Sequence, residues 1–422
     1  METLLSRHIR GFAAEALGAF PAVVLEGARQ VGKSTLASQL ATTQTSLLLT
    51  LDDEDSLRVA RDDSRAFAEQ LPAGTLVIDE LQRAPELILA IKAAIDRDRR
   101  NGRFIMTGSS NLLRLTRTPD SLAGRAITIQ LRPFSQGEIE GRADDLLAEL
   151  RAGAAPNTFT TEIDRTGYAR IIARGGYPDA RRLTTRLRNA WFDSYVSRLM
   201  ERDVADLAPR VDPGRISTVL KLAAANQSGE FVKARVARAA SLPETTITSY
   251  TDLLETMFLL EPLRPWGANL TSRAVSRPKM FVTDPGLALR LSRVTEDQLT
   301  PIDSTFIGAA MEGFVVTELW KQRSWSVEDY ELFHYRDRDG VEVDVIAEFA
   351  DGSVIAFEVK SGSTPKPEHV KGLAFLRDRL GDRFIGGYVL NTARQGAVLG
   401  DRLWALPVAA LWELQAGRSA DD

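Results

Sequence analysis

Residues 27–34 read Gly-Ala-Arg-Gln-Val-Gly-Lys-Ser, and this stretch decides the fold of the first part of the chain. It matches the pattern G-x-x-x-x-G-K-[ST] without a gap, between a short apolar run at 22–26 and a helical pattern at 34–40. The glycines let the backbone curl so that successive N–H groups point at one anion, and the helix N-terminus adds its positive end. The sequence therefore predicts a phosphate-binding loop. The alternative is a glycine-rich turn that binds nothing.

Two side chains of this loop have predicted roles with a nucleotide and Mg²⁺. In loops of this type the lysine, here Lys33, reaches the β and γ phosphates, and the hydroxyl of the next residue, here Ser34, ligates Mg²⁺. The residues predicted to contact the nucleotide are Gly27, Ala28, Arg29, Gln30, Val31, Gly32, Lys33, Ser34 and Thr35, with Asp79 and Ser109 from downstream strands.

A second motif follows the apolar run at 76–78, which ends in Asp79 and Glu80. We interpret these acids as the Walker B partner of the loop, which is itself a Walker A motif. Asp79 is expected to hold a water of the Mg²⁺ shell, and Glu80 to orient and polarise the attacking water as a base does. An apolar strand followed by two acids is common by itself, but downstream of a phosphate loop it indicates a hydrolytic site.

Short apolar runs alternate with helical patterns through the first 140 residues, which is typical of a parallel sheet. The predicted strands are 22–26, 46–51, 75–78, 103–107 and 126–131. The fourth ends in a polar segment, and we expect a side chain such as Ser109 to lie between the two Walker strands, near the γ-phosphate. This order of elements is the AAA+ arrangement. No Asn-Lys-x-Asp motif occurs, which favours ATP over GTP.

Arg125 directly precedes the last predicted strand of this sheet. AAA+ proteins commonly place there an arginine that reaches into the nucleotide site of a neighbouring subunit, where such a finger stabilises the transition state. The alternative is a surface arginine or a local salt bridge, and the sequence does not distinguish the two. A finger requires a homo-oligomer, which the sequence leaves open.

A second group of charged residues lies in two predicted strands at 341–349 and 353–359. A three-residue loop at 350–352 would set a register in which Asp344 stands opposite Glu358, with Lys360 two positions further on the same face. Two carboxylates and a lysine on one face can hold Mg²⁺ with a water beside it. A two-residue loop would slip the register by one and separate the carboxylates.

This hairpin is similar to the pattern of PD-(D/E)xK endonucleases. Glu312, on the preceding predicted helix, matches an additional acid that many such nucleases carry, and the order helix, hairpin, helix, strand also fits. The resemblance implies that Glu312, Asp344 and Glu358 are metal ligands and that Lys360 is catalytic. The alternative is an amphipathic hairpin with a solvated charged face.

Nearly the whole chain resembles the prokaryotic AAA-family ATPases whose C-terminal half is a domain of unknown function. The resemblance rests on 27–35, 76–80, 107–110, 122–125, 175–178, 283–287, 342–344 and 358–360. It implies an α/β fold class with four segments: an N-terminal AAA+-type P-loop ATPase domain with a parallel sheet at 1–135, a helical, Arg-rich lid or linker at 136–210, a winged-helix-like segment at 211–274, and an α/β restriction-endonuclease-like domain at 275–422.

The composition excludes several classes of function. The 422 residues contain no cysteine and three histidines, which excludes disulfides, thiol nucleophiles and Cys-based zinc sites. No apolar run reaches the roughly 18 residues that a membrane helix requires. The charged N-terminus lacks the apolar core of a signal peptide. We therefore expect a cytoplasmic protein with no membrane partner.

The charge pattern gives mixed indications about nucleic acid. The net charge of −4 argues against a chain coated in nucleic acid, yet nine arginines and three acids lie between 165 and 202. Most such runs are solvated helix faces, and a phosphate-contacting surface is the alternative. The best candidate for a recognition helix, at 244–255, contains no Lys or Arg and is a poor DNA reader.

The sequence as a whole predicts a Mg²⁺-dependent ATPase whose nucleotide state positions or releases a nuclease-like domain that acts on nucleic acid, either DNA or RNA. One alternative is an ATP-driven binding switch, in which the hairpin carboxylates only ligate an ion or hold a partner. Another is a small-molecule kinase, against which Glu80 and the polar strand tip argue.

Overall fold

The computed structural model describes residues 4–42, 45–110, 122–267 and 277–416. The chain forms two compact units, one comprising 1–133 with 253–259 and the other 134–252 with 260–422. The predicted boundary at 135 therefore lies next to the division between 133 and 134. Across the described ranges, no helix is both long and apolar enough to span a membrane.

The first unit is built on a parallel five-stranded sheet. Its strands are β1 (Ala22–Glu26), β2 (Ser46–Thr50), β3 (Thr75–Asp79), β4 (Phe104–Gly108) and β5 (Ala126–Gln130). The order is β2-β3-β4-β1-β5, and β1 and β4 are buried along their whole length, as their continuous apolar sequences predict. Because β4 lies between β1 and β3, the predicted position of its polar tip between the two Walker strands is confirmed.

Helices complete the first unit around this sheet. They are α1 (Arg10–Ala19), α2 (Lys33–Ala41), α3 (Glu54–Asp62), α4 (Ser64–Ala68) and α5 (Leu87–Arg97), with a 3-10 turn at Leu81–Arg83. In α5 the buried side chains recur at the spacing of one helix face, for example Leu87, Ile91 and Ile95. This face packs into the same apolar core as β3 and β4.

The second unit contains a mixed eight-stranded sheet. Its strands are β6 (Leu260–Pro265), β7 (Lys279–Val282), β8 (Tyr330–Arg336), β9 (Glu342–Phe349), β10 (Val354–Val359), β11 (Phe384–Asn391), β12 (Ala397–Gly400) and β13 (Leu403–Pro407). The order is β12-β13-β11-β10-β9-β8-β6-β7. The pairs β10–β11, β11–β13 and β6–β8 are parallel, and the other pairs are antiparallel.

The helices between 134 and 416 are α6 (Gln136–Glu140), α7 (Leu146–Arg151), α8 (Arg165–Arg174), α9 (Pro178–Arg181), α10 (Thr185–Arg198), α11 (Val204–Leu207), α12 (Pro213–Ala225), α13 (Lys233–Ala240), α14 (Glu244–Thr256), α15 (Pro285–Ser292), α16 (Glu296–Leu299), α17 (Ile307–Arg323), α18 (Lys371–Leu380) and α19 (Ala410–Glu413). α17 is buried on nearly all sides. It forms one core with β9 and β10, through residues such as Phe314, Val345 and Ile355. The charged side chains that α17 also buries, Glu312, Glu318 and Lys321, each have an ionic partner.

The structure groups the C-terminal segments differently from the predicted boundaries at 210 and 274. β6 belongs to the predicted winged-helix-like segment, yet it pairs with β7 and β8 of the predicted nuclease-like domain. A boundary at 274 would therefore cut one sheet. Residues of the predicted linker, such as Leu146 and Tyr168, share the core of α17. The winged-helix assignment of 211–274 stays a prediction.

The predicted register of the C-terminal hairpin is confirmed. β9 and β10 pair antiparallel from Glu348–Val354 to Val345–Phe357, and one further step places Asp344 opposite Glu358. The loop has three residues, and Gly352 at its end has φ 80°, a left-handed conformation that glycine adopts readily. Turn chemistry alone thus fixes which face carries the two carboxylates.

A buried carboxylate holds the Gly-Gly-Tyr-Pro segment at 175–178. Asp284, which caps α15, accepts hydrogen bonds from the N–H groups of Gly176 at 2.7 Å and of Leu287 at 2.9 Å. A Cβ on Gly175 would lie 2.4 Å from the Asp284 carboxylate, so only glycine fits there. The segments at 175–178 and 283–287 therefore hold each other in place, which is a structural role.

A buried ion pair holds α17. Lys321 is 1% exposed, and its Nζ lies 2.6 Å from Glu318 Oε1 and 3.1 Å from the carbonyl of Phe134. The other oxygen of Glu318 accepts from the N–H of Gln136 at 2.8 Å. The pair therefore ties α17 to the chain at the start of α6.

Lys321→Met should destabilise the second unit, because it leaves the Glu318 carboxylate buried without its cation. We expect a loss of about 3–5 kcal/mol in the free energy of unfolding, measured by urea titration. Lys371→Met, which removes an exposed lysine at the start of α18, is the matched control. A loss in Lys321→Met no larger than in the control would contradict the role of the pair.

Candidate functional site

The loop between β1 and α2 has a backbone shape that fits a phosphate group. The φ angle is 151° at Gly27, 62° at Gln30 and 100° at Gly32, and these conformations fold the chain into a cradle. A Cβ on Gly27 would stand 2.1 Å from the backbone oxygen of Leu131, so a larger residue does not fit there. α2 begins directly after Gly32, which brings the helix N-terminus to the cradle.

Lys33 is buried inside this loop. Its Nζ donates hydrogen bonds to the backbone oxygens of Gly27 at 3.0 Å and of Ala28 at 2.9 Å. A phosphate oxygen is a charged acceptor and binds an ammonium more strongly than a carbonyl does. The side chain is therefore already at the place where the sequence predicts it to meet a nucleotide.

One carboxylate oxygen joins three elements of the first unit. Asp79 Oδ1, at the end of β3, accepts from Ser34 Oγ at 2.8 Å and from Thr107 Oγ1 at 2.5 Å. Ser34 belongs to the first turn of α2, and Thr107 lies near the end of β4. Mg²⁺ prefers oxygen ligands of this kind, so the predicted pair of Ser34 and Asp79 fits the ion.

Glu80 is held by hydrogen bonds in an uncommon backbone conformation. Its φ of 61° is left-handed, which costs a residue with a side chain on the order of 1 kcal/mol or more. The carboxylate accepts from Ser109 Oγ at 3.2 Å and from the amide of Gln82. The Glu80 N–H donates to Thr107 Oγ1 at 3.1 Å. The two predicted residues Glu80 and Ser109 thus lie together beside Asp79.

Gln82 belongs to this group, although the sequence analysis did not identify it. Its Nε2 donates to Ser109 Oγ at 2.9 Å as well as to Glu80, and its Oε1 accepts from the Ser109 N–H at 3.3 Å. It lies in the 3-10 turn at Leu81–Arg83 that follows Glu80. The position of this glutamine, two residues beyond a Walker B acid, could have indicated a role in the site. Its partner Ser109 follows β4, however, and only the fold brings the two together.

Arg125 forms a salt bridge within its own chain. Its Nε lies 2.6 Å from Asp96 Oδ1, and this hydrogen bond lowers the pKa of Asp96. Arg125 directly precedes β5, whereas the Walker residues follow the opposite ends of β1 and β3. It therefore lies at the far edge of the sheet from the nucleotide site of its own chain. The finger role stays a prediction.

The C-terminal carboxylates surround a lysine that the sequence analysis did not identify. Lys279, the first residue of β7, is 1% exposed. Its Nζ lies 2.7 Å from Glu312 Oε1, 3.2 Å from Glu342 Oε1 and 3.7 Å from Asp344 Oδ1. Burial by itself lowers the pKa of Lys279, but the carboxylates more than offset this and raise it above its usual value.

Glu358 and Lys360 form a second pair next to this group. Lys360 Nζ lies 2.5 Å from Glu358 Oε1, while Asp344 Oδ2 accepts from the N–H of Val359 at 2.8 Å. Burial and the charge of Asp344 raise the pKa of Glu358 to about 7, although Lys360 opposes the shift. Both acids of the predicted motif are therefore engaged with groups of the protein itself.

This arrangement differs from the predicted metal site of Glu312, Asp344 and Glu358. Over the described part of the chain, no set of three or more His, Cys, Asp or Glu side chains is arranged to hold a metal ion. The physical reason is that two of the predicted ligands, Glu312 and Asp344, face the ammonium of Lys279. The ammonium of Lys279 thus brings positive charge to the place predicted for a metal ion, and the metal-ligand roles of Glu312, Asp344 and Glu358 stay a prediction.

The match to known families agrees with the geometry of the first unit. Residues 19–140 match a family described as "AAA domain". Residues 165–298 and 307–411 match two families, each described as a "Domain of unknown function" (DUF8612 and DUF4143). The first unit therefore has the fold of a P-loop ATPase domain, and a helical middle and a C-terminal mixed sheet follow it.

Curated relatives include uncharacterized proteins of Mycobacterium bovis and Mycobacterium tuberculosis. Each is 29% identical to this chain over 350 residues, which are 83% of this chain and 72% of the relative. Among solved structures, a Walker-type ATPase of Pyrococcus abyssi is 18% identical, with a TM-score of 0.44 over 68% of this chain and 96% of that one. AMPPCP-bound DnaA of Aquifex aeolicus is 12% identical, with a TM-score of 0.31 over 60% and 89%. At such TM-scores neither structure carries a functional conclusion.

Proposed function

We propose that this chain hydrolyses ATP with Mg²⁺ in its N-terminal unit. The observation that carries the proposal is the position of Asp79, whose Oδ1 accepts from both Ser34 and Thr107. The ligand from the phosphate loop, the Walker B acid and the polar strand tip thus converge at one oxygen. The absence of a guanine motif in the sequence supports ATP as the nucleotide.

In this proposal the loop residues 27–35 bind the phosphates through backbone N–H groups, and Lys33 exchanges its loop carbonyls for phosphate oxygens. Ser34 and Asp79 would hold Mg²⁺. The bound ion supplies neutralisation of the charge that develops on the phosphates. Arg29 of the same loop and Thr35 of the first turn of α2 are proposed to contact the nucleotide as well.

Glu80 is proposed as the group that takes the proton of the attacking water. Ser109 and Gln82 donate hydrogen bonds to its carboxylate and orient it. A kinase also uses a carboxylate near the phosphates, but there it accepts the proton of a substrate hydroxyl, whereas Glu80 and Ser109 lie together directly after the Walker B and neighbouring strands, where a hydrolase orients water. The combination of Glu80, Ser109 and Thr107 therefore favours hydrolysis over the kinase alternative.

Glu80→Gln should keep ATP bound and stop its hydrolysis, because the amide retains the shape of the carboxylate and cannot accept the proton. We expect the rate of phosphate release to fall by about 10²- to 10⁴-fold with little change in ATP affinity. Lys33→Ala is the contrasting variant, in which affinity itself should fall. Equal loss of affinity and turnover in Glu80→Gln would mean that Glu80 is structural.

We also propose that Arg125 acts in a neighbouring subunit of a homo-oligomer. The support is its place at the sheet edge opposite its own Walker residues, which argues against a role at the nucleotide site of its own chain. Asp96 would have to release the guanidinium when subunits meet. A surface ion pair of this kind is weak enough for such an exchange.

The specific ATPase activity should then rise with protein concentration. Mixing Arg125→Ala chains with Lys33→Ala chains should restore part of the ATP turnover, because the first variant lacks the arginine of the shared site and the second lacks the lysine. Asp96→Asn is the matched control, because it breaks the salt bridge and keeps the arginine, so it should stay active. Equal effects of Arg125→Ala and Asp96→Asn, without rescue on mixing, would leave Arg125 as a local salt bridge.

For the C-terminal unit we favour the binding switch over a nuclease that cleaves DNA or RNA. Two observations support this choice. The acids of the hairpin are paired with Lys279 and Lys360, and α14, the candidate recognition helix, carries no basic residue. In this proposal the nucleotide state of the ATPase changes what the C-terminal unit holds, and no bond is cut there.

A further inference from the structure

The buried group around Lys279 is built from four residues on three elements of the second unit. Lys279 comes from β7, Glu312 from α17, and Glu342 and Asp344 from β9. A lysine ammonium donates up to three hydrogen bonds. Here it has one carboxylate at 2.7 Å, one at 3.2 Å and one at 3.7 Å. The cation is therefore enclosed by acids on several sides, as a metal ion would be.

The positive charge of Lys279 explains why a second cation does not bind among these carboxylates. An ammonium buried to this degree is stable only when acids compensate it, and these acids are the ones that a divalent ion would require. A divalent ion near Asp344 and Glu312 would lie a few ångströms from Lys279 and would be repelled by it. It would also have to displace Lys360 from Glu358, whose Nζ and Oε1 are 2.5 Å apart.

We infer that Lys279 is a built-in counter-ion that takes the place of the divalent metal at the Asp344–Glu358 hairpin, and that its removal converts the hairpin into a metal site. The inference deepens the proposed binding switch and rests on it. It gives the reason for a nuclease-like hairpin that does not cleave: the carboxylates are neutralised from within the chain. An ordinary stabilising ion pair would behave differently, since its loss would weaken the fold without creating affinity for a metal.

Glu358 provides the vacant ligand of such a site. Its Oε2 is buried and has no hydrogen-bond partner among the described residues. Together with the oxygens that Lys279 releases on Glu312 and Asp344, it would give a hard cation several carboxylate ligands, which Mn²⁺ and Mg²⁺ both accept.

The experiment uses the full chain without nucleotide and compares Lys279→Met with the natural protein. Methionine keeps most of the volume of the lysine and removes its charge. The thermal midpoint of the second unit is measured in EDTA and then in millimolar MnCl₂ or MgCl₂. Binding of an ion to the folded state raises the midpoint. Lys279→Met should be less stable than the natural chain in EDTA and should recover stability with Mn²⁺, while the natural chain shows no such rise.

Two controls locate the effect. Lys279→Met combined with Asp344→Asn should lose the response to Mn²⁺, because an amide oxygen is a weaker ligand for a hard cation. Lys321→Met removes a different buried lysine, which lies in α17 and pairs with Glu318. This variant should be less stable than the natural chain and should show no response to the metal. If Lys279→Met does not fold, Lys279→Met with Glu312→Gln removes one buried acid together with the cation, and it should fold and bind Mn²⁺.

A folded lysine variant that shows no response to Mn²⁺ or Mg²⁺ would overturn the inference. So would a rise in the natural chain that Asp344→Asn abolishes, or metal-dependent cleavage of DNA or RNA by the natural chain. ATP turnover of the same preparations reports separately on the N-terminal unit. A natural chain that does not hydrolyse ATP would refute the proposed ATPase and leave the result on Lys279 unaffected.

Discussion

The first unit depends on one carboxylate oxygen, Asp79 Oδ1, which accepts a hydrogen bond from α2 and another from β4. These two bonds fix the phosphate loop and the polar strand tip relative to the Walker B strand. The strand order makes them possible, because β4 separates β1 from β3 and the three carboxyl ends meet at one edge. Glu80 comes directly after Asp79 and Ser109 lies two residues after Thr107, so both are positioned by residues that these bonds fix. The geometry of this candidate site is thus a consequence of the strand order in the sheet.

The two units use lysine in opposite ways. Lys33 is held by the carbonyl oxygens of Gly27 and Ala28, which are neutral acceptors that a phosphate can replace. Lys279 is held by carboxylates in a buried setting, where its charge and theirs compensate each other. In the first arrangement the ammonium of Lys33 can bind an incoming phosphate. In the second the carboxylates are already paired with Lys279, so binding of a further cation there is unfavourable. This difference supports ATP chemistry in the first unit and binding without cleavage in the second.

Local patterns predicted much of the structure. The loop at 27–34 and the three-residue turn at 350–352 are continuous in sequence, and their geometry follows from glycine conformations and strand register. Lys279 could not be predicted, because it precedes Glu312 by 33 residues and meets it only after β7 has joined the sheet. Gln82 was adjacent to a recognised motif, but its role depends on Ser109 of another strand. The boundary predicted at 274 falls between β6 and β7, which pair in one sheet, and this long-range pairing of β6 with β7 and β8 leaves no mark in the local sequence.

The most direct test of the central claim is phosphate release from ATP by the full chain and by Asp79→Asn, each measured across a titration of Mg²⁺. The amide keeps the size of the side chain and can still accept from Ser34 or Thr107, so the fold should survive, whereas the charge that holds the ion is lost. We predict Mg²⁺-dependent turnover by the natural chain and a loss of about a hundredfold or more in Asp79→Asn, at a similar thermal midpoint. Turnover in Asp79→Asn equal to that of the natural chain, or a natural chain without ATP hydrolysis, would contradict the claim.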